Sequence, residues 1–243
     1  MKFIMSKNKL INILILSLFI MIFLFCLYQI FIMYFEKDIN EESIQKIIEE
    51  TITIDEENNE ETIYWNKLKS INEDIVGWIQ IEGTNINYPI LKDKDLFYLN
   101  HIFDKSYNSN GAIFTTNESI NNDEEITIYG HNMKNGSMFS CLGNYLDSDF
   151  LNSHKKIKIF TPDGNYEAII FSAYSTGVNK EQNTIKDLNT EDRIKHYIDS
   201  SYVTYTEEIS SNRIIKLVTC SYLNANTRPT DQRYYIIAYV VED

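Results

Sequence analysis

The feature that most constrains this chain is an apolar run over residues 10–35, interrupted only by Asn12, Ser17 and Gln29. As a helix rising about 1.5 Å per residue it is roughly 39 Å long, enough to cross a ~30 Å hydrocarbon core with tilt. A secretory leader would have a shorter apolar core and a small-residue cleavage site. Here the run closes on Ile32-Met33-Tyr34-Phe35-Glu36 and offers no such site. Lys2, Lys7 and Lys9 precede the run, while Glu36, Lys37 and Asp38 follow it. Positive charge favours the cytoplasmic side. The expected layout is a cytoplasmic stretch 1–9, a single-pass, uncleaved anchor 10–35, and everything beyond it on the outer side of the cell membrane.

Residues 36–61 are acidic and polar, with Glu41-Glu42, Glu49-Glu50 and a run from Asp55 to Glu61. Like charges solvate and extend a chain, so this stretch reads as a stalk, although Ile44, Ile47 and Ile48 share one helical face. Residues 62–243 then form one domain of ordinary size. The formal net charge of −13 argues against nucleic acid as a partner, because phosphates demand Lys and Arg. Only Cys141 and Cys220 lie beyond the anchor, with Cys26 inside it. Two cysteines make no disulfide framework. A free thiol on the oxidising side of a membrane is a chemical risk, which either burial or function explains.

A helical period over Ile63, Leu68 and Ile71 opens the domain. Short β-prone runs follow. Val76–Ile81 and Ile86–Ile90 flank the turn Glu82-Gly83-Thr84-Asn85 as a hairpin, with Pro89 limiting the second strand to an edge or end. Further runs are Gly111–Phe114, Ile126–Tyr129, Ile157–Phe160, Tyr166–Ser175, Ile214–Cys220 and Tyr234–Val241. Late in the chain, Glu191–Ile198 reads as a helix capped by Thr190. About eight short strands, one early helix and one late helix predict a mainly β domain, a sandwich or a barrel.

Cys220 ends one apolar run and Arg233 opens the next; His131 follows Tyr129-Gly130 at the end of a third. A lone strand cysteine is usually an inert packing residue, and a strand-end histidine is structural more often than catalytic. Of the other histidines, His196 reads as a surface residue, and His101 and His154 as structural. Metal motifs, a phosphate loop and a G-x-S-x-G elbow are absent from the sequence, so no metal and no cofactor is expected. What remains is Cys with His and an Arg. Thiolate is the nucleophile, and an ordinary thiol with a pKa of about 8.5 is only slightly ionised at neutral pH. A nearby imidazolium favours the thiolate and can protonate a leaving amine. A permanent guanidinium suits the oxyanion of a tetrahedral intermediate.

These residues sit inside motifs that resemble those of the class B sortases, membrane-anchored cysteine transpeptidases of Gram-positive bacteria. Val76-Gly77-Trp78-Ile79 with Gly83-Thr84-Asn85-Ile86-Asn87-Tyr88-Pro89 is similar to the family's opening strands. Tyr98-Leu99-Asn100-His101 and Gly111-Ala112-Ile113-Phe114 resemble the segments that follow. Tyr129-Gly130-His131-Asn132-Met133, continuing through Gly136-Ser137-Met138-Phe139, resembles the histidine motif. Leu217-Val218-Thr219-Cys220 is similar to the T-L-x-T-C box, with Lys216 where threonine is usual. The resemblance implies an eight-stranded sortase-type β-barrel, with an N-terminal helix and a helix between strands six and seven. It implies that Cys220 attacks the carbonyl after a threonine in a C-terminal sorting signal, with His131 as acid/base and Arg233 as oxyanion stabiliser. Arg228 competes for the arginine role; Arg233 is preferred because it immediately precedes the last strand. Leu99, Tyr129, Thr219 and Ser221 are expected in the substrate pocket by position. The implied partners are surface proteins bearing a sorting motif and, as acceptor, a peptidoglycan amine. A pilin lysine as acceptor, a hydrolytic thiol peptidase, and a non-catalytic binding domain on a stalk are the alternatives.

Overall fold

The computed structural model describes residues 7–54, 61–117, 119–121, 123–223 and 230–241. Part of the acidic stretch and Arg228 therefore lie outside the described residues. The chain forms two compact units, Met1–Ser43 and Ile44–Asp243.

Helix α1 runs Lys7–Thr51 without a glycine or proline to interrupt it. Its segment Asn8–Phe31 is long and apolar enough to cross a membrane, and leucines, isoleucines and phenylalanines from Leu10 to Phe31 lie exposed around it.

In the second unit the stretch read as a solvated stalk carries more structure than its acidity suggests. Residues 44–51 are helical, and β1 (Ile52–Ile54) pairs antiparallel with β2 (Glu61–Ile63). Ile47 is buried with Ile63, Leu68 and Trp78. The three-four spacing of Ile44, Ile47 and Ile48 gives the helix an apolar stripe, and the stripe finds a core although acidic residues surround it in sequence. Helix α2 (Trp65–Ile71) follows, with Leu68 inward.

The domain's centre is a closed barrel of eight strands: β3 (Ile75–Gln80), β4 (Asn87–Lys92), β5 (Ile113–Thr115), β6 (Glu125–Tyr129), β7 (Lys156–Phe160), β8 (Tyr166–Gly177), β9 (Ile214–Cys220) and β10 (Gln232–Val240). The order around it is β10-β8-β7-β3-β4-β5-β6-β9, with β4–β5 and β6–β9 parallel. Of the two architectures open to eight short strands, the chain adopts the barrel. Alternation sorts its side chains. Ile126, Ile128, Ile215, Leu217, Ile236 and Ala238 fill the interior. Thr127, Tyr129, Lys216, Val218, Cys220, Arg233 and Tyr235 lie on the outer face of the same three strands and line a cavity.

Beyond the short helix α3 (Ser148–Ser153), two helices rather than one stand between the sixth and seventh barrel strands: α4 (Val178–Ile185) and α5 (Thr190–Ser200). The first escapes a sequence reading because its apolar positions are sparse; Val178 and Ile185 are its only large apolar residues. The cap of α5 is Asn189, not Thr190: the Asn189 side chain accepts from the Asp192 N–H at 2.9 Å. Either residue type caps well, and the chain enters the helix one residue earlier than expected.

Candidate active site

Strand pairing alone brings the three expected groups together. Cys220 on β9 stands opposite Arg233 on β10 in the antiparallel register, so both side chains share one face. On its other side β9 runs parallel to β6, with Tyr129 beside Val218. The Gly130 N–H donates to the Val218 carbonyl at 3.2 Å, and the Thr219 hydroxyl donates to the Gly130 carbonyl at 2.7 Å. These two bonds fasten the end of β6 to the end of β9, and His131 is the next residue. Asn132 Nδ2 donates to the Cys220 carbonyl at 2.7 Å, tying the histidine loop to the cysteine's own backbone.

Glycine at position 130 is a matter of space. It does not adopt a positive φ; a Cβ there would collide with Ile113 and, at 2.8 Å, with the Phe139 ring. Close approach of the core is what requires glycine at this strand end.

The imidazole of His131 is held by Leu99: Nε2 lies 2.7 Å from the Leu99 carbonyl oxygen. A carbonyl only accepts, so Nε2 is the donor and the lone pair of the neutral ring is on Nδ1. Leu99 closes a short 3-10 turn, Phe97–Leu99. The buried Asp93 carboxylate pins that turn by accepting from the N–H groups of Asp95, Phe97 and Tyr98 at 2.8–3.1 Å. Gly111 packs against the same turn with φ +59°, and a Cβ on it would stand 2.6 Å from the Leu99 carbonyl oxygen. Gly111→Ala is thus expected to cost ~2–4 kcal/mol and lower the Tm by roughly 5–15 °C. Thermal unfolding followed by circular dichroism measures it, and an unchanged Tm would mean that the turn yields freely.

Arg233 Nη1 donates to the carbonyls of Thr230 and Gln232, both at 2.9 Å, which fixes the guanidinium plane and uses one of its three nitrogens. The cavity that Cys220, His131 and Arg233 line has a volume of about 390 Å³. Leu96 and Leu99 form one wall, and Val178, Glu181, Gln182 and Ile185 of α4 form the other. Among the residues expected to bind substrate, Leu99, Tyr129 and Thr219 line it. Ser221 does not. It is fully buried beyond the strand end, accepting from the Ser175 hydroxyl at 2.8 Å and from the Leu223 N–H at 3.2 Å. Those partners hold its hydroxyl in the packing beneath the strand end, outside the cavity.

Two groups were not anticipated. Lys216, in the middle of an apolar strand, is only 7% exposed and pairs with Glu125 at 2.7 Å. Burial pushes the Glu125 carboxyl up, but the Lys216 charge and hydrogen bond, the Tyr197 hydroxyl and Arg193 together hold it below the usual range. Glu181 is buried on α4, accepting from the Tyr174 hydroxyl at 2.6 Å, with His196 Nε2 3.2 Å away. His196, expected on the surface, is instead packed against this carboxylate and the Tyr174 ring. A charged residue inside Ile214-Ile215-Lys216-Leu217-Val218 was the available signal for the first pair; the second arises only from the packing of α4 on α5.

The other candidates are structural. His101 stacks on Phe97 with ring centroids 3.8 Å apart, and His154 stacks on Phe150 at 4.3 Å. Cys141 packs against the barrel core, where burial pushes its thiol up to about 11. Among the described residues no cluster of His, Cys, Asp and Glu is arranged to hold a metal ion.

Comparison with known proteins agrees with this fold. The model of the sortase domain family matches residues 79–241. Sortase B of Listeria monocytogenes is 39% identical over 162 residues, which cover 63% of this chain and 65% of that protein, just under two thirds of its length. Sortase B of Staphylococcus aureus is 31% identical over 186 residues, covering 73% of this chain and 75% of that protein. A solved S. aureus sortase B–substrate complex superposes with a TM-score of 0.64 at 30% identity, covering 73% of this chain and 84% of that one.

Proposed function

Since the chain belongs to the sortase family, and within it to the sortase B group, we propose that it is a cysteine transpeptidase that cleaves a C-terminal sorting signal after threonine and transfers the protein to a peptidoglycan amine. Residues 10–35 of helix α1 serve as its single-pass membrane anchor, with residues 1–9 in the cytoplasm and the barrel outside. The observation that carries the reading is that Cys220, His131 and Arg233, at the ends of three adjacent strands, line one cavity.

In this scheme the Cys220 thiolate attacks the threonine carbonyl carbon. Negative charge moves onto the carbonyl oxygen, where the Arg233 guanidinium stabilises it. The imidazolium of His131 gives its proton to the departing amine, the C–N bond breaks, and a thioester joins the peptide to Cys220. An incoming primary amine then attacks the thioester. His131 takes up the proton it releases, and the thiolate departs. The Leu99 carbonyl orients the imidazole throughout.

The test supplies the full-length chain, in detergent micelles, with Thr-containing sorting peptides and triglycine. An enzyme mass raised by the acyl fragment, together with an amide-linked product, is expected. Acid product alone would make the chain a hydrolytic thiol peptidase, and no adduct with any peptide would leave a binding domain.

A further inference from the structure

The catalytic scheme leaves one part of the cavity unused. Lys216 lies on the same face of β9 as Val218 and Cys220 and lines the cavity with them. Its ammonium meets Glu125 Oε1 at 2.7 Å. That carboxylate also accepts the Tyr197 hydroxyl at 2.9 Å and faces Arg193 Nη1 at 3.6 Å. Two cations thus share one carboxylate, and the local balance is positive. The carboxylate that lines the cavity, Glu181, has Tyr174 on one oxygen and His196 beside the other, so its oxygens already have their donors. An ammonium has three N–H donors, and Glu125 takes one. Burying a cation with donors left over is costly unless an acceptor meets them. Between Ile215 and Leu217, an apolar side chain would otherwise serve a structural role at least as well.

We propose that Lys216 is a specificity-determining residue, whose ammonium receives an acceptor-bearing side chain of the sorting peptide, a carboxylate ahead of a carboxamide. The inference rests on the transpeptidase reading above. Strand geometry gives the position of that side chain. Lys216 and Cys220 are four residues apart on one strand, roughly 13 Å at about 3.3 Å per residue, the reach of about four residues of an extended peptide. The acceptor therefore stands about four residues from the scissile carbonyl. It stands on the side retained in the acyl-enzyme. The other segment must leave before an amine can enter, and a buried ionic contact would detain it. A leucine at that position leaves the ammonium unmet, and a lysine is repelled by it.

The experiment uses the full-length chain in detergent micelles. Peptides of one sequence carry Glu, Gln, Leu or Lys at the third, fourth or fifth residue before the threonine. kcat/KM is measured for acyl-enzyme formation. At one of those positions Glu and Gln are expected to exceed Leu by about tenfold or more and Lys by about a hundredfold, mainly through KM. Lys216→Met is expected to reduce the Glu:Leu ratio to below about threefold. Should that variant not fold, Lys216→Gln keeps a donor without the charge, and its Glu:Gln ratio must fall to about one. Equal use of all four peptides by the parent chain overturns the proposal, as does a ratio unchanged in either variant. Failure to form any acyl-enzyme would instead count against the transpeptidase reading, so the two failures are distinct.

Discussion

Cys220→Ala is expected to abolish acyl-enzyme formation and amide transfer, leaving less than about one part in 10⁴ of the parent rate, while the barrel stays folded. The hydroxyls that line the cavity, those of Thr116, Thr127, Tyr129, Thr219 and Tyr235, are far weaker nucleophiles than a thiolate. Thr219 donates to the Gly130 carbonyl, and burial pushes the Tyr129 hydroxyl up. The fold should tolerate the change because the bonds at this strand end are made by backbone. The Cys220 carbonyl still accepts from Asn132, and the Ser221 N–H still donates to Gln232. Removing a half-buried sulfur beside an open cavity costs on the order of 1 kcal/mol. Intact-protein mass spectrometry after incubation with a sorting peptide reads the first part, and thermal unfolding reads the second. An adduct that persists in the alanine variant would move the nucleophile elsewhere.

His131→Gln is the second large effect. Glutamine has a comparable length and can donate an N–H to the Leu99 carbonyl, so the loop geometry has a substitute partner. What it lacks is a proton that exchanges near neutral pH. kcat is expected to fall by about 10²–10⁴-fold, with KM changed less than about threefold, since the side chain positions no part of the substrate in the scheme. The two parameters are read separately by steady-state transfer to triglycine. A fall in kcat of less than about tenfold would remove His131 from the proton-transfer role.

Both variants test residues that strand ends made visible in the sequence. An apolar, β-prone run ending in Cys220 and another ending in Gly130-His131 point to one rim once the strands are known to neighbour each other. That adjacency is not written locally. The parallel pairing of β6 with β9 joins Tyr129 to Val218 across about half of the domain's length, and no local pattern encodes it. Where expectation and structure differ, the cause was tertiary. Ser221 was placed in the pocket by nearness to Cys220, yet Ser175 from β8 and the Leu223 N–H hold its hydroxyl in the packing outside the cavity. Acidity hid the helical stripe of Ile44, Ile47 and Ile48, whose partners come from residues 63 onwards. His196 looked solvated from its neighbours on α5, because the carboxylate that meets it comes from α4. Lys216 was noticed as a departure from the motif, but its partner Glu125 comes from a different strand.

The closed barrel also sets a chronology. β10 bridges β8 and β9 and carries Arg233, so a chain that has advanced only as far as β9 has two open sheet edges and a thiol without its cation. Contacts so distant along the chain form late, since the intervening loops must close first. On the proposed scheme a half-assembled molecule would own its nucleophile but not the machinery around it, and a chain interrupted before Gln232 is expected to be chemically idle, which acyl-enzyme trapping on the truncated chain would check.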